Sequence, residues 1–437
     1  MILTFTIKGA NTSTYFYNLA VSVHLVGFYL SRIRMFNENV RLFIAGQFLA
    51  GFGMAFWSLL FNLYLQELGL TKDRIGITLA IANFATAIIA LPAGIYISRH
   101  SQKLTLIFSQ LLFPLLAGTA IFLVGPSFLI LLFLAYGFAT FMRVIAGPFI
   151  MANTTHKERT YVFSVYFITT VIGGVLGNLM GGSLQQLFRR VGIEAVVGYR
   201  WAILVGIFLI VLAIVPYFFI KEENRIEKPA RFHLRDMAAW NWPLFIRALI
   251  PSVLVSIGAG IVLQFVNLYF KDTFHLPDSA IGSYMSLQAF AMAAGAVIVP
   301  SLAERFGKVT TIVGTQLLSI PFMLVLAFTG DIHIAIIALT IRSGLMNMAN
   351  PVSNTLLFEL CKPTEQAVIN SLLIMFSGLA WSISSLAFGR FLKGNYSESF
   401  IVAVVLYFIS SLLYYYFFRS VEIEDESLEA IELIKQT

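Results

Sequence analysis

Apolar residues run along this chain in blocks of about 20, broken by short polar clusters, and a block of that length crosses a bilayer as a helix. The pattern predicts twelve helices, near 40–66, 75–97, 104–124, 127–152, 160–186, 199–220, 244–270, 280–303, 309–330, 333–357, 366–390 and 398–418. The blocks also repeat, about 205 residues apart. Asn62-Leu63-Tyr64 returns as Asn267-Leu268-Tyr269, and Ile75-Gly76 returns as Ile281-Gly282. The run from Gly94 to Lys103 aligns with the run from Pro300 to Val309. A membrane chain of two similar halves suggests a transporter, because two such halves can rock about a site trapped between them.

Composition supports this reading. The chain is 58% hydrophobic and 12% charged, against roughly 25% charged in a soluble domain. Its net charge of +7 would suggest nucleic acid only if the charges clustered on a soluble face. They sit instead in loops between apolar runs, so no nucleic-acid partner is expected. Cys361 is the only cysteine. That rules out a disulfide within the chain and a metal site built on several thiolates, and no metal or cofactor is expected. No GxxxxGK[ST], HExxH or GxSxG pattern occurs, so neither an ATP-driven pump nor a common hydrolase is expected.

The fold class expected is therefore all-α, with twelve spans in two pseudo-symmetric bundles, 39–220 and 244–420. A polar linker, 221–243, joins them. Basic residues orient the chain. Arg41, Arg99, Lys103, Lys157, Arg159, Arg305, Lys308, Arg419 and the linker lie on one side, the expected cytoplasmic side. The other side holds fewer: Lys72, Arg74, Arg189, Arg190, Arg200, Lys271, Arg390 and Lys393. Both termini should then be cytoplasmic. Residues 1–38 read as an interfacial extension or the product of an upstream start, and 421–437 as an acidic tail forming a solvated cytoplasmic helix.

Twelve spans, a basic central loop and a repeated loop after the second span of each half resemble the major facilitator superfamily. The family's loop reads G-x-x-x-D-R-x-G-R/K. The second copy keeps Glu304, Arg305, Gly307 and Lys308, and the first keeps Gly94, Arg99 and Lys103 but has Ser98 and Ser101 at the usual Asp and Gly positions. Arg143 and Gly147 resemble the family's R-x-x-x-G. Gly173, Gly174, Gly177, Gly181 and Gly182 resemble its glycine-rich fifth helix, here without the usual Gly-Pro pair. The resemblance implies secondary transport of a small molecule by a monomer in the cell membrane, with a coupling proton or ion possible by analogy. It also implies that the first, fourth, seventh and tenth helices line a central cavity. In such a fold Glu304 would latch the cytoplasmic mouth against the fifth helix, or merely set topology.

At about 100° per residue, each of those four helices carries a polar stripe. On the first, Gln47, Gly51, Ser58 and Asn62 share a face; on the fourth, Tyr136, Thr140, Arg143 and Gly147. On the seventh the set is Ser256, Gly260, Gln264 and Asn267, and on the tenth Arg342, Asn350 and Ser353. Such stripes can line a cavity or simply bond helices together. Arg143 and Arg342 stand out, since a charge in mid-span costs at least about 2.5 kcal/mol. They could bind an anionic group, tune proton movement and gating, or tie helices through backbone carbonyls. Gly173, Gly177 and Gly181 read as close helix packing, with a gating pivot second.

No Asp, Glu or His falls in the middle of a span. Glu67, Glu158 and Glu359 lie at span ends and are poor candidates for a coupling proton. The cavity is thus moderately apolar, with amides, hydroxyls and two arginines. That composition favours efflux of an amphipathic or weakly anionic compound. The alternatives are an uptake permease for a sugar or other nutrient, and a transporter-fold receptor or sensor.

Overall fold

The computed structural model describes residues 36–222, 242–359 and 366–436. The predicted N-terminal extension and linker therefore lie almost wholly outside the described residues, as do the side chains of Ser98, Glu158, Glu304 and Glu359. Twelve helical stretches follow one another, with no strand among the described residues. In the first half they are α1 (Glu38–Glu67), α2 (Lys72–Arg99), α3 (Gln102–Ala120), α4 (Pro126–Asn153), α5 (His156–Arg190) and α6 (Ala195–Leu212 continued by Ile214–Phe218). In the second half they are α7 (Trp242–Leu263 continued by Val266–Phe274), α8 (Asp278–Phe306), α9 (Lys308–Phe328), α10 (Ile332–Glu359), α11 (Gln366–Leu386, ending in a π-turn, Ala387–Phe391) and α12 (Tyr396–Gln436). Among the described residues, eleven of these contain spans long and apolar enough to cross a membrane. The segment read as a solvated tail continues α12 without a break.

Local chemistry sets the boundaries. The side chains of Asn37, Thr71 and Ser101 accept from backbone N–H groups of the first turns of α1, α2 and α3, satisfying donors that a helix start leaves free. The two copies of the repeated loop use different devices. Gly307 joins α8 to α9 at φ +83°, a left-handed conformation that favours glycine. Ser101 occupies the equivalent place at φ −59° and caps α3 with its hydroxyl. The first copy therefore needs no glycine there.

Within the first half α1 packs on α5 and α6, and α4 packs on α2 and α3. The second half repeats the arrangement: α7 packs on α11 and α12, and α10 on α8 and α9. Two seams join the halves, α2 with α11 and α5 with α8. Large apolar side chains such as Leu115, Trp201, Phe208, Phe290, Ile337 and Val405 are exposed. An apolar surface of that extent is stable against lipid, not water.

Glycines allow the tight contacts. A Cβ on Gly177 would strike the Phe52 carbonyl of α1, and one on Gly173 would lie 2.9 Å from the Phe48 carbonyl. One on Gly181 would press on the Phe56 ring at 3.3 Å. The glycine face of α5 is thus the face that packs on α1. Across the seams, Gly282 abuts the Asn178 carbonyl and Gly76 abuts the Ser385 carbonyl. These two contacts are counterparts under the repeat.

Candidate functional site

The two halves meet at one end of the bundle in a paired clasp. Asn62 of α1 donates through Nδ2 to the Gln264 carbonyl at 2.5 Å, and to Asn267 Oδ1 at 3.3 Å. Asn267 of α7 donates through Nδ2 to the Leu59 carbonyl at 2.8 Å. Leu59 and Gln264 stand in the same relation in the repeat as Asn62 and Asn267, so the two bonds are mates about a local two-fold. Tyr64 donating to the Ile121 carbonyl and Tyr269 donating to the Leu326 carbonyl form a second such pair. Gln264 is fully engaged: its Oε1 accepts from Asn83 and Ser385, and its Nε2 donates to the carbonyls of Gly260 and Trp381.

Beyond the clasp lies a layer of charge. Asp272 accepts from Lys72 at 2.9 Å, Gln66 at 2.6 Å and Tyr396 at 2.8 Å. Lys271 lies 3.7 Å from Glu67 and 3.5 Å from Asp278, and donates to Tyr199 at 2.7 Å. Tyr199 donates in turn to Asp278. The pairs Lys72–Asp272 and Glu67–Lys271 each join the first half to the second, so this end is sealed by both amides and charges.

No polar bond between α1 or α4 and α7 or α10 occurs towards the other end among the described residues. There the inner faces are open. Arg143 is exposed, and it lies nine residues from exposed Leu134, half a turn around α4 from the lipid side. It shares its face with Tyr136, whose hydroxyl accepts from Trp57 Nε1 at 3.0 Å. No hydrogen bond or ion pair of Arg143 occurs among the described residues. Asn350 is likewise exposed and lies nine residues from lipid-facing Ile341. Ser58, one turn from the clasp, is exposed on α1.

The structure divides the predicted cavity set. Arg143, Ser58, Tyr136 and Asn350 are on or beside the open space. Asn62, Gln264 and Asn267 form the seal instead. Gln47 and Thr140 are buried inside the first bundle, and Thr140 donates to the Tyr136 carbonyl. Arg342 needs the largest revision. It is fully buried inside the second bundle, where Nη2 donates to the Tyr407 hydroxyl of α12, while Nε and Nη1 have no partner among the described residues. It lines no open cavity in this conformer.

The loop motifs have separate places. A Cβ on Gly94 would meet Ser371 Oγ of α11 at 2.7 Å, so this glycine serves the α2–α11 seam. The backbone N–H of Lys103 donates to Glu222 at 3.3 Å. Arg99 and Arg305 are exposed, and Lys308 opens α9. The latch assigned to Glu304 lies outside the described side chains. Sequence reasoning missed Asn83, Lys72, Tyr199, Asp272 and Tyr396. For the last four the only available signal was their position at span ends, which marks loops as readily as gates; Asn83 lies inside α2, with no signal beyond its polarity.

The comparisons bear on this geometry. The model of the Major Facilitator Superfamily matches residues 43–385 and again 248–435. No curated protein matches significantly. Among solved structures, a bacterial homologue of the human lysosomal transporter Spinster, inward-facing and unoccupied, is similar with a TM-score of 0.69 at 14% identity, covering 91% of this chain and 98% of that one. The nucleoside transporter NupG gives 0.68 at 13% identity, over 87% of this chain and 100% of that one. The E.coli fucose:proton symporter FucP gives 0.61 at 15% identity, over 86% and 98%. With a family match over most of its length and the fold of these carriers, the chain belongs to the Major Facilitator Superfamily and is a multi-pass membrane transporter of small molecules, not an enzyme.

Proposed function

We propose that this transporter exports an amphipathic or weakly anionic organic compound across the cytoplasmic membrane by alternating access. The observation that carries the reading is Arg143. It is a cation on the inner face of α4, open to space and without an ion-pair partner among the described residues. Every carboxylate whose side chain is described sits at a helix end or in a loop, so the substrate itself is the natural counter-charge. A guanidinium held in an apolar wall favours a carboxylate, sulfate or phosphate group through paired N–H donors.

Orientation supports loading from the cytoplasmic side. The basic residues put the Lys72–Asp272 end outside. The sealed end is then external and the open cavity faces the cytoplasm, ready to load from within.

Octyl sulfate tests the site. It should raise the thermal stability of the nanodisc-embedded protein, and Arg143→Gln should weaken its binding at least tenfold, because Gln keeps hydrogen bonding but removes the charge. Equal binding in wild type and Arg143→Gln would remove this residue from the site. Energised uptake of the compound into everted, but not right-side-out, vesicles is the expected sign of export. The opposite result would make the protein an importer.

A further inference from the structure

We infer that the interior of the second bundle holds a separate subsite for a neutral, hydroxylated group, such as one ring of a polyol head. The inference rests on the transporter reading but not on the charge of the substrate. A pocket of about 170 Å³ lies among α7, α9, α10, α11 and α12. Its polar wall is formed by Ser252, Ser256, Gln316, Asn350, Ser353 and Ser410. Ser252 and Asn350 are exposed at its mouth, and Ser410 is buried. Whole ligand sites usually measure about 300–1,000 Å³. This one therefore takes a part of a molecule, with the remainder in the space between the halves.

The repeat explains why the pocket exists on one side. Phe43 and Gln47 of α1 correspond to Ala248 and Ser252 of α7, about 205 residues on. In the first bundle Phe43 stacks on Phe149 at 4.6 Å and on Tyr217 at 6.3 Å, filling the space between α1, α4 and α6. Ile145 and Pro148 of α4 occupy the places of Asn350 and Ser353. At these four matched positions the second bundle is smaller, with Ala248 for Phe43 and Ser252 for Gln47, or more polar, with Asn350 for Ile145 and Ser353 for Pro148. In a lipid-embedded protein that exchange forfeits packing and leaves polar groups to be satisfied.

The chemistry of the wall selects the ligand. Among the described residues no Lys, Arg, His, Asp or Glu lines the pocket, so neither an anion nor an ammonium finds a counter-charge there. Hydroxyls and amides both donate and accept, which matches a hydroxylated group. Part of this capacity is spent inside the protein. Ser410 donates to the Pro251 carbonyl at 2.9 Å, and Ser256 pairs with Ser377 at 3.3 Å. Gln316 Oε1 accepts from Ser411 at 3.1 Å. That bond fixes the amide and leaves its Nε2 donors available, because no partner for them occurs among the described residues.

The test uses full-length protein in nanodiscs, with Ser252→Cys at the pocket mouth in a Cys361→Ser background. The rate of alkylation by N-ethylmaleimide is measured with octyl β-D-glucoside, octyl sulfate or octyltrimethylammonium, three probes sharing one chain. The glucoside should slow alkylation at least fivefold, and the two ions less than twofold. Ala248→Phe, which restores the bulk found in the first bundle, should abolish this protection. Gln316→Leu should abolish it too, by removing the amide at similar volume. Equal slowing by all three probes, no slowing by the glucoside, or protection that survives both substitutions would overturn the subsite and leave a water-filled gap. Arg143→Gln should leave glucoside protection intact. Octyl sulfate binding that ignores Arg143→Gln would defeat the proposed anion site without touching this one.

Discussion

The paired clasp makes the sharpest quantitative prediction. Asn62→Ala removes two bonds that cross between the halves, to the Gln264 carbonyl and to Asn267 Oδ1. Side-chain bonds between membrane helices contribute about 0.6 kcal/mol each on average, and buried bonds in general about 1 kcal/mol. Together the two losses amount to about 1–2 kcal/mol, which multiplies the ratio of unsealed to sealed protein by about 5–30. Asn267→Ala should act alike, because it is the two-fold mate and loses its own bond to the Leu59 carbonyl. Spin labels on Val124→Cys and Phe328→Cys, in a Cys361→Ser background, report the separation of the two halves at the sealed end. Both positions are strongly exposed, at 79% and 75%, so labels there disturb little. Pulsed distance measurements should show a longer-distance population growing in either single variant. If the distribution stays as in wild type while both variants remain folded, the amides are packing groups and the seal is held elsewhere.

Two further outcomes follow from the same structure. Tyr407→Phe should lower stability by about 1–3 kcal/mol, because it removes the hydrogen bond that the described residues give a buried guanidinium, whereas Arg342→Met should cost less or stabilise; thermal unfolding of both variants decides it, and the reverse order would show that the charge is held by something else. Cysteines at Ser127 and Asn395 should react with an impermeant thiol reagent from outside, and one at Arg231 should not. Labelling at Arg231→Cys from outside would invert the assigned orientation, and with it the direction of loading.

Much of the fold was legible before any coordinates. Blocks of apolar residues give the spans, since a bilayer admits only helices or closed barrels. The recurrence of Asn-Leu-Tyr and Ile-Gly at about 205 residues gives the two halves. The glycines of α5 announce a close helix contact, and Phe48, Phe52 and Phe56 of α1 supply it. The site was legible only as inward-facing stripes. Periodicity tells that a side chain points away from lipid. It does not tell whether the neighbour there is another helix, the opposite half or open space.

Tertiary structure made that distinction residue by residue. Arg143 and Arg342 look alike in sequence, each a lone charge in an apolar span. One faces open space, and the other is enclosed against Tyr407, because α9 and α12 close around Arg342. Asn62 and Asn267 were visible as repeat mates, but only the approach of α1 to α7 makes them a reciprocal clasp. The charges at the span ends read as topology signals and became a seal when Lys72 met Asp272 and Lys271 met Glu67. The sequence alone therefore determined that the chain is a set of membrane-length helices in two related halves, because lipid acts on each segment independently. Which polar residues seal, which stay free and which leave a pocket was decided only when the two halves were placed against each other.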